Sequence, residues 1–155
     1  MNNRLLIING PGLSDLSNFN EFGYDDLTLE KVQQKCLETC ESLGLTLEFC
    51  QTDDEIELTN YLTKACKEFD ALIVNPVGYS HASSLDFDIY TSNIETITLQ
   101  NKPVIEVHIA NIFQKGINIT RPIKVSEGSV GFVSGFGIHS YDLAIRAVNK
   151  KLRKN

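Results

Sequence analysis

Apolar residues along this chain fall into two rhythms: short unbroken runs, and longer stretches with an apolar residue every third or fourth position. Residues 5–9 (Leu-Leu-Ile-Ile-Asn) form the first run and end in Asn9-Gly10-Pro11. A continuous run this short suits a strand buried on both faces of a parallel sheet. The first helical stretch puts Leu29, Val32, Cys36, Leu37, Cys40 and Leu43 along one side. Thr28 is placed to cap it, although Lys31 stands where a capping-box glutamate would sit, and Gly44 stops it. Residues 45–50 predict a second strand, and Asp53 or Asp54 caps a second helix with Ile56, Leu58, Leu62, Ala65 and Phe69 as its stripe. Residues 71–76 (Ala-Leu-Ile-Val-Asn-Pro) predict a third strand, 82–99 a third helix and 103–108 (Pro-Val-Ile-Glu-Val-His) a fourth strand. A polar connection over 109–128 contains Gly116, Pro122 and Gly128, and residues 129–134 predict a fifth strand. Gly135-Phe136-Gly137 then turns into a last helix through Leu143, Ile145 and Val148, followed by a basic tail over 150–155.

Five strands alternating with helices imply a parallel sheet covered on both faces, because right-handed crossovers put the helices there. The expected architecture is a flavodoxin-like three-layer α/β fold with strand order 2-1-3-4-5, formed by residues 1–155 as one domain. In such sheets ligands bind beyond the carboxyl ends of the strands, near the switch between strands 1 and 3.

Composition narrows the partners. The chain has 155 residues, with 14 Lys and Arg against 20 Asp and Glu, for a net charge of −6. This acidity, without a basic stripe, disfavours binding to nucleic acid or to an anionic membrane. The basic residues of the tail are accounted for by the dipole at a helix C-terminus. No apolar run approaches the ~18 residues of a membrane span. The four apolar residues at 5–8 are too few for a secretory signal, so the cytoplasm is the expected compartment. Cys36, Cys40, Cys50 and Cys66 form no CxxC pair. They read as reduced, partly buried small hydrophobes, with a metal site or redox pair as the alternative.

The strand-end rule turns the sequence into a site map. Strand 1 ends at Asn9, strand 3 at Asn75 with His81 soon after, and strand 4 in Glu106-Val107-His108. Alternation places Glu106 and His108 on one side of their strand. A carboxyl group two residues from a histidine can orient it for acid–base work. Each residue also has a structural reading. Glu106 and His108 can be a simple strand-end pair, Asn75 a turn residue before proline, and His81 a loop residue; His139 reads as surface. Their convergence in one crevice is what favours a site. No GxGxxG, Walker loop or metal-ligand cluster accompanies them.

At these positions the chain resembles the type II 3-dehydroquinate dehydratases of the shikimate pathway. The likeness begins at Ile8-Asn9-Gly10-Pro11, continues through Tyr24 and Leu27-Thr28-Leu29-Glu30, and includes Gln51, Glu55 and Glu57-Leu58. It resumes at Val74-Asn75-Pro76 with Ser80-His81 and Ser83. It then takes in Pro103 through His108 with Asn111-Ile112, and finishes at Gly131 and Gly135-Phe136-Gly137. Any one of these segments is weak, but the ordered set is specific. The resemblance implies a flavodoxin-like fold, homo-oligomers built as trimers or dodecamers, and no metal or organic cofactor. It implies a hydro-lyase reaction on a small carbocyclic acid, the conversion of 3-dehydroquinate to 3-dehydroshikimate through an enolate. By the same resemblance Tyr24, on a lid over residues 14–23, is the base, His108 the acid and Glu106 its orienting partner. Asn75, His81, Asp88, Lys115 and the backbone of Ile109 and Ala110 hold the substrate.

Several positions depart from the family pattern. Phe19 replaces a lid arginine, Gly12 and Ser14 replace asparagines, Phe87 replaces an arginine on the third helix, Lys115 stands for an arginine and Ala110 for a serine. An ordinary phenol is mostly neutral at pH 7, so the missing lid cation matters to a tyrosine base. The alternative to an active dehydratase is therefore a catalytically impaired or re-specialised homologue that binds a different small carboxylate.

Overall fold

Arg4–Asn9 forms β1, and residues 5–9 of it are buried because it lies inside a five-stranded parallel sheet ordered β2-β1-β3-β4-β5. The structure is a computed structural model in which residues 2–76, 86–111 and 131–154 are described. β3 (Ala71–Asn75) and β4 (Val104–His108) are buried throughout as well; β1 and β3 read as apolar runs closed by asparagine, while β4 carries Glu106 and His108 into the buried interior. β2 (Thr46–Gln51) and β5 (Gly131–Ser134) are the half-buried edges. The register aligns the strand ends: Asn9 pairs with Gln51 and Asn75, Val74 with Glu106, and His108 with Ser134. The expected flavodoxin-like order is the observed one.

Among the described residues four α-helices cover the sheet: α1 (Leu29–Leu43), α2 (Glu55–Glu68), α3 (Phe87–Thr98) and α4 (His139–Lys154). On one face Val32, Cys36 and Cys40 of α1 and Tyr141, Ala144, Ile145 and Val148 of α4 pack on Leu5, Ile7, Ile73 and Val107. On the other, Leu58, Leu62 and Ala65 of α2 and Tyr90, Ile94 and Ile97 of α3 pack on Leu6, Ile8, Val74 and Val104. Two members of the expected stripes point outward instead. Ile56 is 73% exposed and Leu143 46% exposed, each one step off the buried line of its helix.

The caps explain the helix boundaries. Thr28 Oγ1 accepts the Lys31 N–H, and Gly44 ends α1 at φ 73°, in the left-handed region that costs glycine little. Asp54 rather than Asp53 caps α2. Asp86 Oδ1 accepts the N–H groups of Asp88 and Ile89, so α3 begins at Phe87 rather than 82; residues 77–85 lie outside the described part. α4 runs on through Lys154, which makes the expected basic tail the last turn of that helix. Among the described residues no helix is long and apolar enough to cross a membrane.

The four cysteines are free thiols, with Cys36 and Cys40 buried under α1. Burial pushes the Cys40 thiol up to about 11 and the Cys50 thiol up to about 12, and that of Cys36 further still. These shifts stabilise the fold below the unfolded thiol pKa, where both states are protonated. The unfolded chain alone sheds those protons at higher pH, so stability falls as pH rises from about 9. Urea midpoints measured across that range are expected to drop steadily, and a thiol reagent at pH 8 to leave Cys36 and Cys40 unmodified until the protein unfolds.

A close approach fixes the β1 turn. Gly10 donates its N–H to the Asn75 carbonyl at 2.7 Å, and a Cβ on Gly10 would lie 2.0 Å from the Pro76 oxygen. Gly10→Ala therefore has to push two strand ends apart. A destabilisation of about 2–4 kcal/mol is expected from its urea-unfolding curve.

Candidate active site

β4 carries Glu106 and His108 on its α2/α3 face, the face to which Val104 also belongs. Glu106 is 0% exposed and its Oε1 accepts the Tyr90 hydroxyl at 2.7 Å. Glu106 Oε2 faces His108 Nε2 at 3.8 Å, too far for a hydrogen bond. Both of these buried atoms are without a hydrogen-bond partner among the described residues. The imidazole also leans on Phe132, with ring centroids 5.3 Å apart and planes tilted by 46°. The arrangement holds a carboxyl and an imidazole in facing positions, each with unused hydrogen-bonding capacity. That is the equipment an oriented proton donor or acceptor needs.

The other face holds a second buried polar group. Tyr141 of α4 donates its hydroxyl to Asn9 Oδ1 at 2.6 Å and accepts from Asn75 Nδ2 at 3.1 Å. Asn9 Nδ2 in turn donates to the Cys50 carbonyl. Asn75 therefore lies on the α1/α4 face with Ile73, out of phase with Glu106 and His108. The sequence reading gathered these residues in one crevice. The structure puts Asn9 and Asn75 toward one face and Glu106 and His108 toward the other, at the common rim where the strands end; His81 lies outside the described residues.

The rim itself is stitched to the turn between β5 and α4. The carbonyls of His108, Ile109 and Ala110 accept from Gly135 N–H, Gly137 N–H and the Ser134 hydroxyl at 3.1, 2.9 and 3.1 Å. Ile109 and Ala110 are both buried there. Tyr24 reaches the same turn: its hydroxyl donates to the Gly135 carbonyl at 2.8 Å. No contact joins the phenol to the imidazole directly. The path between them runs through Gly135, whose N–H holds the His108 backbone.

The expected lid over 14–23 is an ordered segment with a 3-10 helix, Ser17–Phe22. It is anchored by Leu13, Leu16 and Phe19, all buried in the α1/α4 core. Gly12 has φ 88° and donates its N–H to Asp53 Oδ1, which Gln51 also contacts. Asp88 is exposed in the first turn of α3, where its charge suits the helix dipole. His139 is exposed, as its surface reading expected. His81 and Lys115 lie outside the described residues.

Two residues of this region went unnoticed in the sequence, Tyr90 and Tyr141. Each sits in a helical stripe, with Ile94 and Ile97 or with Ala144, Ile145 and Val148. A tyrosine within a buried stripe has a hydroxyl that must find a partner, and that was the available signal.

The sequence profile of the family Dehydroquinase class II matches residues 3–149. The chain belongs to this family. It is 32% identical over 154 residues to a 3-dehydroquinate dehydratase of Clostridium botulinum, covering 99% of this chain and 96% of that protein. A 3-dehydroquinate dehydratase of Caldanaerobacter subterraneus is 33% identical over 146 residues, covering 94% and 93%. The crystal structure of a type II dehydroquinase from Butyrivibrio crossotus superposes with TM-score 0.78 at 26% identity, covering 96% and 98%. A 3-dehydroquinate dehydratase-like protein from Bifidobacterium longum superposes with TM-score 0.69 at 25% identity, covering 99% of both chains.

Within this fold the phenol depends on the turn beneath it. A Cβ on Gly137, itself at φ 59°, would stand 2.9 Å from Tyr24 Cδ1. Gly137→Ala is expected to unseat Tyr24 and loosen the segment over residues 17–24. Hydrogen exchange should show faster amide exchange there, with the central strands unchanged.

Proposed function

We propose that this chain is a type II 3-dehydroquinate dehydratase, a hydro-lyase that eliminates water from 3-dehydroquinate to give 3-dehydroshikimate. The observation that carries the reading is the buried Glu106–His108 pair at the end of β4, in a chain of the class II dehydroquinase family. Tyr24 removes the proton beside the ketone and the electron pair moves into an enolate. The enolate collapses and expels the hydroxyl, to which His108 gives a proton, so that water leaves. Glu106 orients the imidazole. Asn75, His81, Asp88, Lys115 and the backbone of Ile109 and Ala110 bind the substrate. Proton transfers alone complete this sequence, so it calls for no metal or organic cofactor.

The hydrogen bond from Tyr24 to Gly135 uses the phenolic proton. Acting as a base therefore requires Tyr24 to leave that carbonyl and lose its proton first. Phe19 supplies no charge, being 4% exposed and part of the core, so it anchors the lid and the activating cation comes from elsewhere. Lys115 and Arg121, in the connection after β4, are the candidates. Residues 1–155 act as one domain, in a cytoplasmic homo-oligomer, trimer or dodecamer, serving aromatic amino acid biosynthesis.

Turnover of 3-dehydroquinate into the conjugated enone is the direct test. We expect product from the wild-type chain and a kcat about 10²–10⁴-fold lower in His108→Ala, the usual worth of a general acid. No product at high enzyme concentration would reject the reading.

A further inference from the structure

Tyr90 is a fully buried tyrosine that the proton transfers above do not use. It stands in the first turns of α3, behind the Asp86 cap, in one cluster with Ile94, Ile97 and Val104. Its hydroxyl, 2.7 Å from Glu106 Oε1, is the only hydrogen-bond donor to that carboxyl group among the described residues. We propose that Tyr90 is a positioning residue, which by holding one oxygen of Glu106 aims the other at the His108 imidazole. Its kinetic consequences rest on the dehydratase reading; its effect on the imidazole does not.

A carboxyl group turns about its last carbon–carbon bond unless at least one oxygen of its fork is held by a donor. Here Oε1 is tied to an element that cannot move without disturbing the α2/α3 layer, and Oε2 is left 3.8 Å from His108 Nε2. Neither Oε2 nor Nε2 has another partner among the described residues. Without the Tyr90 hydroxyl both carboxyl oxygens would lack a donor, a costly state in a buried site. The group would turn to find one, and the imidazole would lose its fixed neighbour. Burial first, and the adjoining Glu106 second, raise the Tyr90 phenol well above the ordinary tyrosine range. It stays protonated and serves as a donor, not as a proton carrier. Preorganisation of this kind affects the rate more than the binding of substrate, because it acts on the group that moves a proton in the transition state.

Tyr90→Phe removes the hydroxyl and keeps the ring. In the folded variant, the ring-nitrogen resonances of His108, assigned by their loss in His108→Gln, are expected to move away from their wild-type positions at constant pH. With 3-dehydroquinate as substrate, kcat is expected to fall about tenfold while KM stays within about twofold. The same change added to Glu106→Gln is expected to cost little more, since the two act as one unit. Unchanged His108 resonances would overturn the proposal, and so would equal losses of kcat in the two backgrounds, which a merely structural tyrosine would give. If the wild-type chain turns over no substrate, the dehydratase reading fails and the His108 spectrum alone decides this one. Should Tyr90→Phe not fold, Tyr90→Met fills similar space without a hydroxyl and carries the same measurements.

Discussion

A carboxyl group sealed inside a parallel sheet has to be held by something, and the end of β4 is organised around that need. Glu106 has no exposure to water, and two polar side chains reach it from different elements. Tyr90 arrives from the covering helix α3, while His108 lies two residues further along the same strand. Burying such a group is costly unless donors are supplied. The hydrogen bond from Tyr90 therefore couples the packing of the α2/α3 layer to the orientation of a side chain at the rim. Phe132, from the edge strand β5, packs against the imidazole with ring centroids 5.3 Å apart.

The opposite face solves a similar problem with different groups. Asn9 and Asn75 end neighbouring strands in register, and two amides side by side leave donors and acceptors to be satisfied. Tyr141 serves both, accepting from one and donating to the other. The two buried polar groups thus sit on either side of one sheet, each closed by a helix tyrosine. At the strand ends beside them, the turn between β5 and α4 binds the carbonyls of residues 108–110. Tyr24 docks on this same turn, so the rim carries the geometry that relates phenol to imidazole.

Phe19 shows how a single residue type changes the character of a lid. A charged side chain in that place would keep its head in solvent or against an anion. A phenyl ring gains most by burial, about 2–3 kcal/mol relative to exposure. With Leu13 and Leu16 it draws the segment onto the α1/α4 core, and the 3-10 turn and the seat of Tyr24 follow.

Strand order, the described helices and most caps could be read from the sequence, because they depend on local chemistry. Apolar runs mark β1 and β3 as interior strands, Thr28 and Gly44 bound α1, and the alternation of elements allows few topologies. The pairing of Glu106 with His108 on one face was equally legible, since the period of a strand is two. The start of α3 was not, because the sequence offers Ser83, Ser84 and Asp86 as caps, and only the folded chain shows that Asp86 meets the free N–H groups of Asp88 and Ile89. Nor was the separation of Asn75 from Glu106, which depends on the register between β3 and β4. The roles of Tyr90 and Tyr141 were hidden for the same reason. A helical stripe shows that a tyrosine is buried, but the partner of its hydroxyl lies 16 residues away in one case and 132 in the other. Contacts across that separation are chosen by how helices pack on the sheet. Sequence alone determined which elements form and in what order; the tertiary structure decided which polar groups meet, because a hydrogen bond requires a distance and an angle that no local pattern encodes.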